Sequence, residues 1–185
     1  MNILIIRVSA IGDVIHTFPA IALLKNLFPS ANISWVVQKK SASLLVDQSF
    51  IKKVWVLPDK FLKFKNLPDT YKIVKEIRKT KWDAIIDFQG IEKTSLLLPW
   101  IRGKKFGFDA THARKWFSTY FTNHQCTPIY TNIIQKNLAL ASCVTQQLLS
   151  GKYTKSHALH KLHRSITLDI PQEAQNKVSE FLQNT

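Results

Sequence analysis

The chain is poor in the residues that usually announce a mechanism. It has 185 residues but only five Gly, two Cys and one Met. Gly12 stands alone before Gly90, so the GxGxxG spacing of a dinucleotide site is missing, and no GxxxxGK[ST] phosphate loop occurs. No DxD is present, which removes one common way of holding a metal and a diphosphate together. Cys126 and Cys143 form no CxxC and are too few for a disulfide framework. They read as ordinary thiols of a reducing, cytosolic compartment. No apolar run approaches the ~18 residues that span a bilayer. The opening MNILIIRVSAIGDVIH lacks a basic leader and carries Asp13 early, so no signal peptide is expected. Acidic residues are scarce too: 12 Asp and Glu stand against 26 Lys and Arg, a formal charge of +14. A folded chain with that imbalance seeks an anionic partner, whether nucleic acid, phospholipid headgroups or a phosphorylated substrate.

What is present is hydrophobic and periodic. Apolar residues make up 45% and include five Trp, enough for a buried core despite the charge. The run 2–8 (NILIIRV) predicts a strand buried on both faces, as in a parallel sheet. Further strands are expected at 32–38 (NISWVVQ), 53–57 (KVWVL), 82–88 (WDAIIDF) and 105–108 (KFGF). Helical spacing appears at 18–28, 69–80, 91–101, 113–121, 131–149 and 172–183, with SAIGD as a turn. Alternating strands and helices imply a doubly wound α/β sandwich with right-handed crossovers. Residues 1–164 are expected to form that domain, with 165–185 beginning a linker and helix.

In such a sheet, ligands bind beyond the carboxyl ends of the strands. Three segments lie there: Ser9–Asp13, Phe88–Gly90 with Lys93, and Phe108–Arg114. Asp13 is a carboxylate at a strand mouth. It either caps the helical turn that follows or takes a proton from an acceptor hydroxyl. Asp87 sits inside an apolar strand and needs a partner or a function. The Gln89-Gly90 turn lets backbone N–H groups approach a ligand, or simply ends the strand. Residues 52–79 hold nine basic residues against three acids. Within them Lys60, Lys63 and Lys65 alternate through KFLKFK, a pattern suited to phosphates beside an apolar chain or membrane. Arg114 and its basic neighbours form a second group. His157, His160 and His163 lack a completing ligand, so no metal site is expected.

These segments together resemble a known family. ILIIRVSAIGDVIHTFPAIALLK, SWVVQ, DAIIDFQGIEKTSLL and GFDATHARKWFSTYF, in this order, are similar to the N-terminal half of the ADP-heptose glycosyltransferases, family GT9 of the GT-B fold. The RVSAIGDVIHTFP form is closer to members that add the first heptose. The resemblance implies an N-terminal, acceptor-binding, Rossmann-like half with a mainly parallel sheet. It implies inverting transfer of heptose from ADP-heptose to the Kdo of Kdo2-lipid A, without a cofactor or bound metal, in lipopolysaccharide core synthesis. Work at the cytoplasmic face of the inner membrane, as a peripheral protein, comes with it. Asp13 takes the family's general-base position. Ser9, Gly12, Lys60, Lys63, Lys65, Gln89, Gly90, Lys93 and Arg114 fall at acceptor-binding positions. The loop lysines stand where relatives often use Arg, which keeps charge and gives up the bidentate fork. Gln38 replaces an acid after WVV. The nucleotide-sugar domain has no counterpart in the sequence, so this half alone is expected to be inactive; the alternatives are a truncated gene, a split gene with a separately encoded C-terminal half as partner, and an isolated half of a longer chain. The rival readings are a remnant that only binds acidic lipid, and a basic nucleic-acid-binding domain, which predicts steep salt dependence but leaves Gly12-Asp13 unexplained.

Overall fold

The computed structural model describes residues 1–149. Its elements run β1 (Asn2–Ile6), α1 (Ile11–Ile15), α2 (Phe18–Leu27), β2 (Asn32–Gln38), α3 (Lys39–Ala42) and β3 (Lys53–Leu57). Then come α4 (Leu67–Ile77), β4 (Trp82–Asp87), α5 (Glu92–Ser95), β5 (Gly103–Phe108), β6 (His124–Cys126) and α6 (Ile133–Leu149). The strands form one sheet in the order β3-β2-β1-β4-β5-β6, and every neighbouring pair is parallel. Two halves wind outward from β1 and β4, the arrangement of a doubly wound fold.

Strand alternation divides the core in two. Ile3, Ile5, Ile33, Trp35, Ala84, Ile86 and Phe106 face α2 and α6. Leu4, Ile6, Val36, Ile85, Trp55 and Leu57 face α4 and the segment after α5. Successive side chains point to opposite faces of a strand, so a run such as NILII fills both layers. This is why β1 reads as continuously apolar. Pro19 sits in the first turn of α2, where its missing N–H costs nothing. Asn137, buried in α6, donates from Nδ2 to the His16 carbonyl at 3.0 Å and fixes α6 over the start of α2.

Several expectations need correction. The SAIGD segment is not merely a turn, since α1 begins at Ile11. The helix expected over 91–101 breaks into α5 and a 3-10 turn at Leu98–Trp100, because Pro99 cannot donate within an α-helix. The helix expected over 113–121 is a 3-10 run, Trp116–Phe121. β6 was not anticipated. Finally, Cys126 and Cys143 are not free thiols but a disulfide. β6 ends where α6 packs on the sheet, bringing their Cα atoms to 6.3 Å, within the reach of a bridge. The cysteines therefore give no support for a reducing compartment. No helix among the described residues is long and apolar enough to cross a membrane. The helix expected at 172–183, the segment 165–185 and the His157, His160, His163 run lie outside the described residues.

Candidate functional site

The six strands among the described residues are all parallel, so their carboxyl ends meet one edge, and the loops after β1, β4 and β5 converge there. The loop after β1 supplies Arg7 and, in the first turn of α1, Asp13. Arg7 is 1% exposed. Its Nη1 donates to the Phe88 carbonyl at the end of β4, and Trp35 Nε1 holds its own carbonyl at 3.0 Å. A charge buried this deeply requires a counter-charge. Arg7 Nη2 lies 3.0 Å from Asp13 Oδ1. The other carboxylate oxygen, Oδ2, accepts from Arg114 Nη2 at 2.7 Å. Asp13 thus lies between two guanidiniums. Burial disfavours its charged form, but Arg7 and Arg114 together outweigh burial and hold the carboxyl below its ordinary range. The Ala10 N–H contributes in the same direction, so Asp13 also serves the start of α1. The N-cap of α1 is Ala10, without a side-chain cap hydrogen bond, so Asp13 lies inside the first turn and does not take the N-cap position.

The loop after β4 stabilises this arrangement. Gln89 Oε1 accepts the backbone N–H groups of Val8 (3.1 Å) and Ser9 (3.3 Å) and ties the first loop down. Gly90 adopts φ +59°, a left-handed conformation that a Cβ penalises. Its carbonyl accepts the Lys115 N–H at 3.1 Å, so the turn also positions the Arg114 segment. Asp87 lies behind, 1% exposed. Its Oδ1 accepts the N–H groups of Gln89 (2.9 Å) and Gly90 (3.1 Å), and its Oδ2 faces the hydroxyls of Thr94 and Ser95. These donors favour the carboxylate, yet burial prevails and pushes the acid up to about 6.

That shift has a testable sign. Between 3.8, the ordinary value, and about 6, folded Asp87 holds a proton that the unfolded chain has released. Its contribution to stability is therefore full below the lower value and lost as pH rises through the upper one. In urea unfolding, Asp87→Asn should remove about 1–3 kcal/mol of the difference between pH 4.5 and pH 7. Equal pH dependence in variant and parent would show that Asp87 does not carry it.

The loop after β5 is ordered by Asp109. Its Oδ1 accepts from the His112 N–H (2.9 Å), the Thr111 hydroxyl (2.9 Å) and His112 Nδ1 (2.7 Å). Burial acts against the charged form here, but the hydrogen bonds, Thr127 foremost, hold the acid down at about 2. Ser9 is half-buried, and Gly12 is exposed with open space where a Cβ would stand. Lys93 is exposed on α5. Lys60, Lys63 and Lys65 are exposed on the loop after β3, apart from the Asp13 cluster, with Phe61 buried as their anchor. Between them Phe64 stands 91% exposed. Behind this loop a groove of about 380 Å³ is lined by Leu62, Leu67, Tyr71, Leu96 and Trp100, with Lys75 and Arg78 at its rim. Among the described residues no three His, Cys, Asp or Glu side chains converge as a metal site.

The structure brings Asp13, Arg114, Gln89 and Gly90 together and adds one residue that the motif reading passed over, Arg7. Its signal was an arginine embedded in an otherwise apolar strand run.

Comparison with known proteins agrees with this architecture. Lipopolysaccharide heptosyltransferase 1 of Campylobacter coli is 29% identical over 153 residues, 82% of this chain and 44% of that protein. Its namesake in Escherichia coli K12 is 27% identical over 133 residues, 68% of this chain and 41% of that protein. The chain thus spans well under half the length of these relatives. Among solved structures, the E. coli heptosyltransferase WaaC with ADP superposes at a TM-score of 0.70 and 20% identity, over 83% of this chain and 54% of that one. The glycosyl transferase family 9 structure from Veillonella parvula gives 0.75 and 18%, over 99% and 49%. These structures support the α/β fold as one half of a GT-B architecture. The model of glycosyltransferase family 9 (heptosyltransferase) matches residues 70–182, more than half the sequence, and the chain belongs to that family.

Proposed function

We propose that residues 1–149 form the acceptor side of an inverting heptosyltransferase of lipopolysaccharide core synthesis. The proposed donor is ADP-L-glycero-D-manno-heptose and the proposed acceptor is the Kdo of Kdo2-lipid A. The observation that carries the reading is a partly exposed carboxylate, Asp13, at the mouth of the central strand with a cation on either side. In the reaction, an Asp13 oxygen takes the proton of the acceptor hydroxyl as that oxygen attacks the anomeric carbon. The bond from that carbon to the diphosphate breaks, ADP leaves with the electron pair, and the configuration inverts. The sugar carries developing oxocarbenium character, as in glycoside cleavage. No cofactor enters this scheme.

The remaining acceptor positions follow by location. Ser9, Gly12, Gln89, Gly90 and Arg114 border Asp13, while Lys93 and the loop lysines Lys60, Lys63 and Lys65 meet the acceptor's phosphates farther out. Phe64 beside those lysines, and the apolar groove behind them, suit a lipid-bearing acceptor held at the cytoplasmic face of the inner membrane. Donor binding is assigned to a part of the enzyme outside residues 1–149, in the same polypeptide or a separate one.

The test is reconstitution. The full chain, joined to the C-terminal part of the Campylobacter coli relative, should release ADP from ADP-heptose only when Kdo2-lipid A is present. The chain alone should release none. A folded, donor-binding fusion that fails to transfer would favour the remnant reading. Turnover by the chain alone would overturn the assignment of the donor site.

A further inference from the structure

The two arginines at Asp13 are not equivalent, and the difference has a mechanistic use. Arg7 is immobilised. It is 1% exposed, its Nη1 is committed to the Phe88 carbonyl, and its own carbonyl is held by Trp35. Arg114 is 49% exposed at its side chain and reaches Asp13 from a different loop. The backbone of that loop is fixed independently of the side chain, by the Lys115 N–H on Gly90 and by Asp109 on His112. The Arg114 guanidinium can therefore leave Asp13 without the loop moving. Arg7 cannot.

We propose that Arg114 is an exchangeable partner: an anionic group of the acceptor, a sugar carboxylate or a phosphate, draws Arg114 off Asp13 and so converts Asp13 from a doubly paired carboxylate into a proton acceptor, while Arg7 stays. This rests on the reading of Asp13 as the base. A carboxylate held by two cations is a poor base, because both favour its charged form. Removing one raises its proton affinity at the moment the acceptor hydroxyl arrives. The planar guanidinium pairs as well with an incoming carboxylate or phosphate as with Asp13, so the exchange keeps its charge-assisted hydrogen bonds. Arg7 keeps its Nη2 at 3.0 Å from Asp13 Oδ1 throughout, while its buried Nε has no hydrogen-bond partner in the resting arrangement. The charged groups that bear on the pair are Arg7, Arg114 and, behind Arg7, Asp87. The device also selects substrate. A neutral sugar offers nothing that binds Arg114 better than Asp13 does, and a ligand shifts an equilibrium only by its differential affinity.

The experiment follows the Asp13 carboxyl carbon by NMR in the full chain carrying 13C-labelled aspartate, with Asp13→Asn assigning the signal. The probes are inorganic phosphate, the methyl glycoside of Kdo, and methyl mannoside as a neutral control. Saturating phosphate or Kdo glycoside should move the Asp13 titration upward, and mannoside should not. Whichever acidic probe acts identifies the anion. Arg114→Ala should raise the midpoint without any probe, abolish the probe-induced shift and weaken probe binding about tenfold. Arg114→Lys should restore part of the lowered midpoint. An Asp13 titration unmoved by both saturating acidic probes, or unmoved by Arg114→Ala in a chain whose amide spectrum remains native, overturns the proposal. If Arg114→Ala unfolds, Arg114→Gln serves in its place. Transfer is not read in this experiment, so a wrong base assignment would appear separately, as an active Asp13→Asn fusion.

Discussion

With Asp13 as the proposed base, Asp13→Asn in the proposed fusion should lower kcat for heptose transfer by about 10²- to 10⁴-fold, the range contributed by a positioned general base. Asn keeps the shape of the side chain and can still accept a hydrogen bond from Arg7 or Arg114. It cannot take a proton from the acceptor. The variant also leaves two guanidiniums without their shared anion, and Arg7 is buried. Loss of one partner from a fully buried pair costs about 3–5 kcal/mol. Asp13 is 18% exposed and Arg114 half exposed, so water reduces that penalty. Stability and chemistry are therefore measured separately: urea unfolding for the fold, kcat at saturating donor and acceptor for the reaction. The decisive sign is the pH profile, whose acidic limb should disappear with the carboxylate. A tenfold or smaller loss of kcat with that limb intact would place the base elsewhere.

The second large effect lies in the core. Trp35→Ala should destabilise the domain by about 3–5 kcal/mol, the usual cost of a buried aromatic replaced by Ala. Trp35 is fully buried in β2 and packs edge-on against Phe18, with ring centroids 6.0 Å apart. Total stabilities of about 5–15 kcal/mol make such a loss close to unfolding. The indole also connects core to cleft, because its Nε1 donates to the Arg7 carbonyl. Trp35→Phe tests that connection on its own. It keeps much of the packing, leaves the buried carbonyl unpaired at about 1–3 kcal/mol, and should perturb the Asp13 carboxyl signal. Urea unfolding of both variants checks the order. A loss under about 1 kcal/mol for Trp35→Ala would show that the site does not lean on this residue.

Much of the fold was legible because its signals are local. The apolar run at 2–8 predicts a strand buried on both faces of a parallel sheet, the runs at 32–38 and 82–88 predict further strands, and β1, β2 and β4 are those strands, inside the sheet. The amphipathic spacing at 69–80 and 131–149 matches α4 and α6. What escaped lacks such a signal. β6 is three residues, His-Gln-Cys, and forms because β5 offers Phe106, Gly107 and Phe108 as a template. WFSTYF has apolar residues enough for a helix, but it packs as a 3-10 run after the loop that Asp109 orders. The disulfide depends on where α6 crosses the end of β6, and no spacing of two cysteines states that. At the site, Asp13 and Arg114 were each visible as residues, but their pairing was not. Arg7 could have been found by the rule that singled out Asp87: a charge inside an apolar strand demands a partner.

The pairing of Asp13 with Arg114 spans 101 residues, and that of Arg7 with Phe88 spans 81. Chain closures of this length come late, because their entropy must be met before the contact gives any return. No hairpin or single crossover unit contains the site. It exists only after β1, β4 and β5 lie side by side, with the chain wound first one way and then the other. In folding terms, the cluster at Asp13 reports that β1, β4 and β5, the middle of the sheet, have assembled. A nascent or clipped chain that stops before β5 can acquire a core around β1 and β2 yet hold Asp13 with a single arginine.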